Sequence, residues 1–280
     1  MRKFFTLAAA VTAVVFSAKA EVNFAYEAGA EIVSTFIWRG QYNGGLSFQP
    51  DASIGFDAKD ELIQFRFGAW GNVGASDWKF QKGLPETEDG NPNTFFVPEV
   101  DVYGSLTLWG ATVGFTHYYY FGGTPFFSGL EDDGGSQTEI QLGYDFGALT
   151  DVGIYLNWYT MIAGNDLRRD DAEAAHRAWS TYIELGYDYT WEKIGLTLGG
   201  QIGMSPWESE VYGNKKFAVT NISVRLGKEW TFDPCSIELF AQGTLNPDGL
   251  TKENVYVDAA GDDKLCTQRL NGAIGFGVWF

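Results

Sequence analysis

The chain has 280 residues and a formal net charge of −17; 16% of it is aromatic and 35 residues are glycine. The acidity argues against a nucleic-acid partner, and two cysteines, Cys235 and Cys266, are too few for a disulfide scaffold. Past the first twenty residues no stretch approaches 18 consecutive apolar residues, so membrane insertion would have to use β-structure.

Arg2-Lys3 opens the chain as a basic segment, Phe4 to Phe16 is apolar, and Ala18-Lys19-Ala20 fits a small-x-small cleavage site. This pattern predicts a secretory signal peptide over 1–20, with cleavage near Ala20 and a mature domain over 21–280. The first twenty residues carry Arg2, Lys3 and Lys19 and no acid, so their loss takes the net charge from −17 to −20.

Period-two alternation then predicts twelve strands, at 24–38, 47–57, 62–73, 97–108, 111–121, 136–146, 151–161, 178–190, 194–204, 216–230, 234–244 and 266–280. Ten or fourteen strands are the neighbouring counts. The links alternate in length. Those at 58–61, 109–110, 147–150, 191–193 and 231–233 are short; those at 39–46, 74–96, 122–135, 162–177, 205–215 and 245–265 are long. A β-sandwich has no reason to sort its loops by parity, whereas an up-and-down barrel in a bacterial outer membrane does. The predicted fold is all-β, a transmembrane antiparallel up-and-down barrel. Aromatics at strand ends, among them Phe36 and Trp38, Tyr144 and Phe146, Tyr187 and Tyr189, Trp230 and Phe280, suit interfacial girdles.

The last strand ends Ile274-Gly-Phe276-Gly-Val278-Trp-Phe280. An alternating terminal strand closed by Phe280 resembles the C-terminal signal of outer-membrane barrels, with Phe276, Val278 and Phe280 as the residues read by the barrel-assembly machinery. Ser34-Thr-Phe-Ile-Trp-Arg-Gly40 followed by Phe48-Gln-Pro-Asp-Ala-Ser-Ile-Gly-Phe56 resembles the first hairpin of the TorF-type porin family. There an aromatic-Arg-Gly closes the first strand. Here Gln41-Tyr42-Asn43-Gly44 stands where that family has Ser or Thr. The resemblance implies a small channel.

The polar parity of each strand assigns inward-facing residues. The acids are Glu27, Glu31, Asp51, Asp57, Glu99, Asp101, Glu139, Asp145, Glu184, Asp188, Glu229 and Glu238; the bases are Arg39, Arg66, Arg225 and Arg269. Each such carboxylate meets water, pairs with an arginine or takes a proton; with so few arginines many must be hydrated, and a hydrated acidic lumen favours cations. The opposing possibility is an interior filled by its own side chains.

Catalytic chemistry is scarce. His117 and His176 are the two histidines. By parity His117 joins Val113 and Phe115 on the outward face, unless a bulge re-aims it inward; the residue two positions on is Tyr119, so the His-x-Ser arrangement of a known outer-membrane hydrolase class is missing. No zinc-ligand spacing or cofactor motif is present. The acidic segments 86–90, 131–135 and Asp262-Asp263 read as solvated loops, with calcium binding the alternative. Phe95, Phe96, Phe126 and Phe127 either fold into the mouth as a constriction or pack against neighbouring loops. The expected function is a monomeric, non-enzymatic channel in outer-membrane lipid, passing small solutes or cations. The alternatives are a lipid-modifying enzyme, a surface-binding barrel without a pore, and a secreted soluble β-protein.

Overall fold

The computed structural model describes residues 22–58, 61–74, 99–120, 126, 136–168, 176–247, 255–257, 263–265 and 270–280. Twelve strands form one closed barrel: β1 Val22–Val33, β2 Ser47–Ala58, β3 Ile63–Gly74, β4 Glu99–Leu108, β5 Ala111–Tyr120, β6 Ser136–Asp145, β7 Ile154–Gly164, β8 Thr181–Trp191, β9 Leu196–Ser205, β10 Ala218–Phe232, β11 Cys235–Leu245 and β12 Leu270–Trp279. Each pairs antiparallel with its chain neighbours, and β12 returns to β1. That seam runs from Gly29 opposite Trp279 to Val33 opposite Gly275. Phe280 extends it through two backbone bonds with Ala28, at 2.8 and 3.2 Å. Closure leaves no free sheet edge along the paired segments.

The barrel is inverted relative to a soluble one. Phe24, Phe56, Phe67, Phe115, Leu142, Leu185, Val224 and Phe276 are among many large apolar side chains exposed outside. The buried side chains are largely polar: Gln49, Ser53, Asn72, Glu99, Glu139, Asn221, Thr244 and Asn271 among them. Alternation produces this because successive side chains point to opposite faces.

The inner face is built partly from rings laid over glycines on the facing strand. Tyr155 covers Gly186, Phe240 covers Gly275, and Trp279 covers Gly29, each across a register pair. A Cβ at Gly186 would stand 2.0 Å from the Tyr155 ring, and one at Gly275 2.2 Å from that of Phe240. Close approach, and not backbone freedom, explains glycine at these positions.

The alternation of links is observed. Where the chain turns briefly, Trp109-Gly110 has φ values of 49° and 85°, as a two-residue type I′ turn needs. We call this end lower and the end of the long links upper.

The first predicted strand does not run to residue 38. β1 stops at Val33, and Ser34 makes its last contacts with β12, donating to the Ile274 carbonyl at 2.8 Å and accepting from the Ile274 amide at 2.9 Å. Phe36–Trp38 then pairs with Gln41–Gly44 as a separate small hairpin. Phe36 and Trp38 are therefore not girdle residues. The Phe36 ring packs on Trp70 at 5.5 Å, and Trp38 stacks on Tyr212 at 5.8 Å. Both turn inward because aromatic partners wait there. Of the remaining girdle candidates, Phe146, Tyr187, Tyr189, Trp230 and Phe280 are exposed, and Tyr144 is half-buried.

Candidate functional site: the barrel lumen

The inserted hairpin carries the centre of the upper lumen at its tip. Arg39 and Gly40 have φ values of 49° and 88°, again a type I′ pair. A Cβ on Gly40 would lie 1.9 Å from the Thr220 carbonyl oxygen, so the tip is seated directly on the β10 backbone. The Asn246 amide donates to the Gly40 carbonyl at 3.2 Å, and the Gln41 amide donates to that of Val211 at 2.9 Å.

Arg39 reaches across the lumen. Its Nη1 donates to Glu139 Oε2 at 2.6 Å and its Nη2 to Glu139 Oε1 at 2.7 Å, a two-pronged charge-assisted pair. Nη1 also donates to the Tyr212 hydroxyl at 2.9 Å. The guanidinium lies 4.0 Å from the Tyr159 ring centre, 4.7 Å from Trp38 and 5.0 Å from Tyr182. Tyr118 donates to Glu139 Oε1 at 3.1 Å. The pair is withdrawn from solvent, with side-chain exposures of 10% for Arg39 and 3% for Glu139.

Other carboxylates line the same wall. Glu99 and Asp101 are buried on β4, and Asp101 Oδ1 makes no hydrogen bond among the described residues. Asp51 accepts from the Tyr103 hydroxyl at 2.7 Å, and Glu184 from that of Tyr182 at 3.1 Å.

The lower lumen is wetter. Arg225 Nη2 donates to Glu238 Oε2 at 2.7 Å and lies 3.6 Å from Glu31 Oε1, with Arg225 38% exposed. Its guanidinium also sits 3.6 Å from the centre of the Phe240 ring. Arg66 grips Asp57 through both nitrogens, at 2.6 and 2.9 Å. Beside Arg225 opens a cavity of about 370 Å³, walled by Tyr155, Asp188, Gln201, Ser223, Glu238 and Gln242.

The predicted inward residues can now be placed. Glu27, Glu31, Asp51, Arg66, Glu139, Glu184, Arg225 and Glu238 lie on the face opposite the exposed apolar residues of their strands, and Glu99 and Asp101 are buried opposite the half-buried Val100 and Val102. The structure brings together Glu31, Arg225 and Glu238, and it joins Arg39 to Glu139; Arg66 pairs with Asp57. Glu27 remains exposed. Arg269, Cys266, Phe95, Phe96, Phe127, the acidic segments 86–90 and 131–135, and Asp262 lie outside the described residues. Phe276 and Phe280 face outward.

The strand pattern puts Tyr182 on the inward face beside Glu184, but Tyr118, Tyr159 and Tyr212 were not singled out, nor was the enclosure of Arg39 by all four. The inward parity of the first three was available on their strands; Tyr212, in a long link, gave no such signal. His117 keeps the outward parity without being exposed. Its Nδ1 is 2.9 Å from Thr138 Oγ1, its Nε2 is 2.6 Å from the Phe126 carbonyl oxygen, and the Phe126 ring lies over it at 4.8 Å. Phe126 therefore covers the outer wall and does not enter the mouth. His176 is exposed in a two-residue ladder with Arg168 opposite.

No protein-family model matches the chain, and no curated protein matches it in sequence. Solved structures are similar to it at low identity. Salmonella typhi OmpF, in complex with daunomycin, is 10% identical, over 93% of this chain and 98% of that one, with a TM-score of 0.37. An anion-selective porin from Comamonas acidovorans is 9% identical, over 92% and 99%, with a TM-score of 0.31. A mutant of the monoaromatic hydrocarbon channel TodX is 13% identical, over 95% and 91%, with a TM-score of 0.35.

Proposed function

We propose that the chain is an outer-membrane porin-like channel for passive diffusion of small polar solutes, with a preference for cations. The observation that carries this reading is the inversion of the barrel. An apolar belt with Phe24, Phe56, Phe67 and Leu142 exposed has no place in water, where contiguous apolar patches rarely exceed a few hundred Å². In a bilayer the same belt is the expected outer surface, and the polar interior is the expected lumen. That separates the reading from a secreted soluble β-protein.

Cation preference follows from charge. Among the described residues the inward acids outnumber Arg39, Arg66 and Arg225 several-fold, and Glu27 and Asp188 are exposed and bound to no arginine. The test is the reversal potential in a KCl gradient across a planar bilayer. A K⁺-selective potential that shrinks as salt rises is expected, because screening shortens the reach of the lumenal charges. Anion selectivity contradicts the reading.

The same proposal includes removal of a signal peptide near Ala20, insertion as a monomer, and kinship with TorF-type porins through Trp38-Arg39-Gly40. It also assigns Phe276, Val278 and Phe280 to recognition by the assembly machinery. The pairing of Phe280 with Ala28 at the closing seam supports that role. Deleting Phe280 is expected to lower the outer-membrane level of folded, heat-modifiable protein; an unchanged level removes the assignment. Catalysis has little support, since Phe126 covers His117 and its carbonyl engages Nε2.

A further inference from the structure

We propose that the upper lumen contains a binding site for guanidinium-type organic cations, which Arg39 occupies as a tethered ligand. This deepens the channel reading, and its transport consequence rests on that reading; the binding does not.

Withdrawal of the hairpin would leave most of the site in place. Trp38 and Arg39 leave with it. Glu139 on β6, Tyr118 on β5, Tyr159 on β7 and Tyr182 on β8 stay, because they belong to the barrel wall. Tyr212 stays in the link between β9 and β10. The residual site is one buried carboxylate with a tyrosine hydroxyl already donated to it, surrounded by three further tyrosine rings.

Each component fits a planar cation. Glu139 presents both oxygens to one edge of the guanidinium, at 2.6 and 2.7 Å. The Tyr212 hydroxyl accepts from a third N–H at 2.9 Å. The Tyr159 and Tyr182 rings lie within 4.0 and 5.0 Å of the central carbon, inside cation–π range. A spherical, strongly hydrated ion would satisfy the carboxylate and gain little from the rings. A guanidinium uses both, being weakly hydrated, flat and forked.

The hairpin itself is seated through Phe36, Trp38, Gly40 and Gln41, so the occupant of the site is a single side chain on a frame that is held independently of it. The hairpin contributes Phe36–Trp38 and Gln41–Gly44, and its tip is two residues at positive φ. A soluble cation with the same head group therefore competes with one side chain at high local concentration. In the channel, arginine-like or guanidine-bearing solutes would exchange with Arg39 during passage.

The test uses the full chain, folded in detergent. In Arg39→Ala the site is vacated but its wall is intact. Methylguanidinium is expected to bind this variant and raise its heat-modification temperature. Its neutral isostere methylurea should bind at least about tenfold more weakly, since the charged two-pronged contact is lost. Arg39→Ala/Glu139→Gln should show no preference between the two. Equal binding of both probes by Arg39→Ala, or unchanged binding in the double variant, overturns the site. If Arg39→Ala fails to fold alone, refolding yield becomes the readout. Recovery with methylguanidinium and not with methylurea supports the site, and no recovery while Arg39→Lys folds overturns it. Bilayer recordings separate the two levels: binding without conductance in any variant leaves the site standing and removes the channel, whereas conductance without binding does the reverse.

Discussion

The upper and lower halves of the lumen both pair arginine with glutamate, but in opposite settings. Above, Arg39 is 10% exposed, Glu139 is 3% exposed, and tyrosines close around them. Below, Arg225 is 38% exposed and shares two carboxylates beside a cavity of about 370 Å³. The charges are alike, so the difference lies in water. A dry pair is a clasp, because removing one partner strands the other. A wet pair tunes potential, because solvent replaces whatever is removed. In the proposed channel, the upper half would set the opening and the lower half the charge selectivity.

Replacing Arg39 by alanine should break the contrast most strongly. Glu139 would be left buried, at a cost of about 3–5 kcal/mol. The hairpin would lose its anchor across the lumen. Denaturant unfolding in detergent checks the stability loss, and Glu139→Gln should share much of it.

Gly40→Ala attacks the same clasp without touching charge. The added methyl meets the Thr220 carbonyl, and φ is 88°. A loss of about 1–3 kcal/mol is expected. The same range applies to Gly275→Ala, where Phe240 must move. The two differ in consequence: Gly40→Ala should raise conductance, and Gly275→Ala should leave it nearly unchanged.

Arg225→Ala sharpens the comparison from below. Its partial exposure limits the stability loss to about 1 kcal/mol or less. Selectivity should instead move further toward cations, since Glu31 and Glu238 lose their counter-charge. Asp188→Asn should move it the other way. Reversal potentials read both. A larger stability loss for Arg225→Ala than for Arg39→Ala would invert the account.

The smallest effect is a null one. Leu270 pairs with Leu245 at the upper end, whereas Cys235 begins β11 at the lower end. Ten residues of strand separate Leu245 from Cys235, about 33 Å, and the four residues from Leu270 to Cys266 span at most about 14 Å. A disulfide tolerates Cα separations up to about 7 Å. Alkylation without reductant should modify two thiols, and reductant should not change gel mobility.

The barrel was legible because each strand faces two opposed environments. In 136–146, Glu139 and Gln141 alternate with Ile140 and Leu142, and that period fixes both strand and face. The hairpin was not legible. Phe36 and Trp38 continue the even-numbered parity of Phe24, Tyr26 and Ile32 across Ser34-Thr35, so local pattern carries no sign of the break. What turns them inward lies far away: Glu139 is 100 residues from Arg39, and Tyr212 is 173. The excess of inward acids was readable by counting. Which of them are dry depends on those same distant rings.

In the proposed channel the Arg39 hairpin, which crosses the upper lumen to Glu139, limits passage. Single-channel conductance of the wild type and Arg39→Ala in planar bilayers tests it most directly. Small, cation-selective openings are expected for the wild type and a conductance several-fold larger for the variant. Equal conductances, or no conductance from either folded protein, would contradict it.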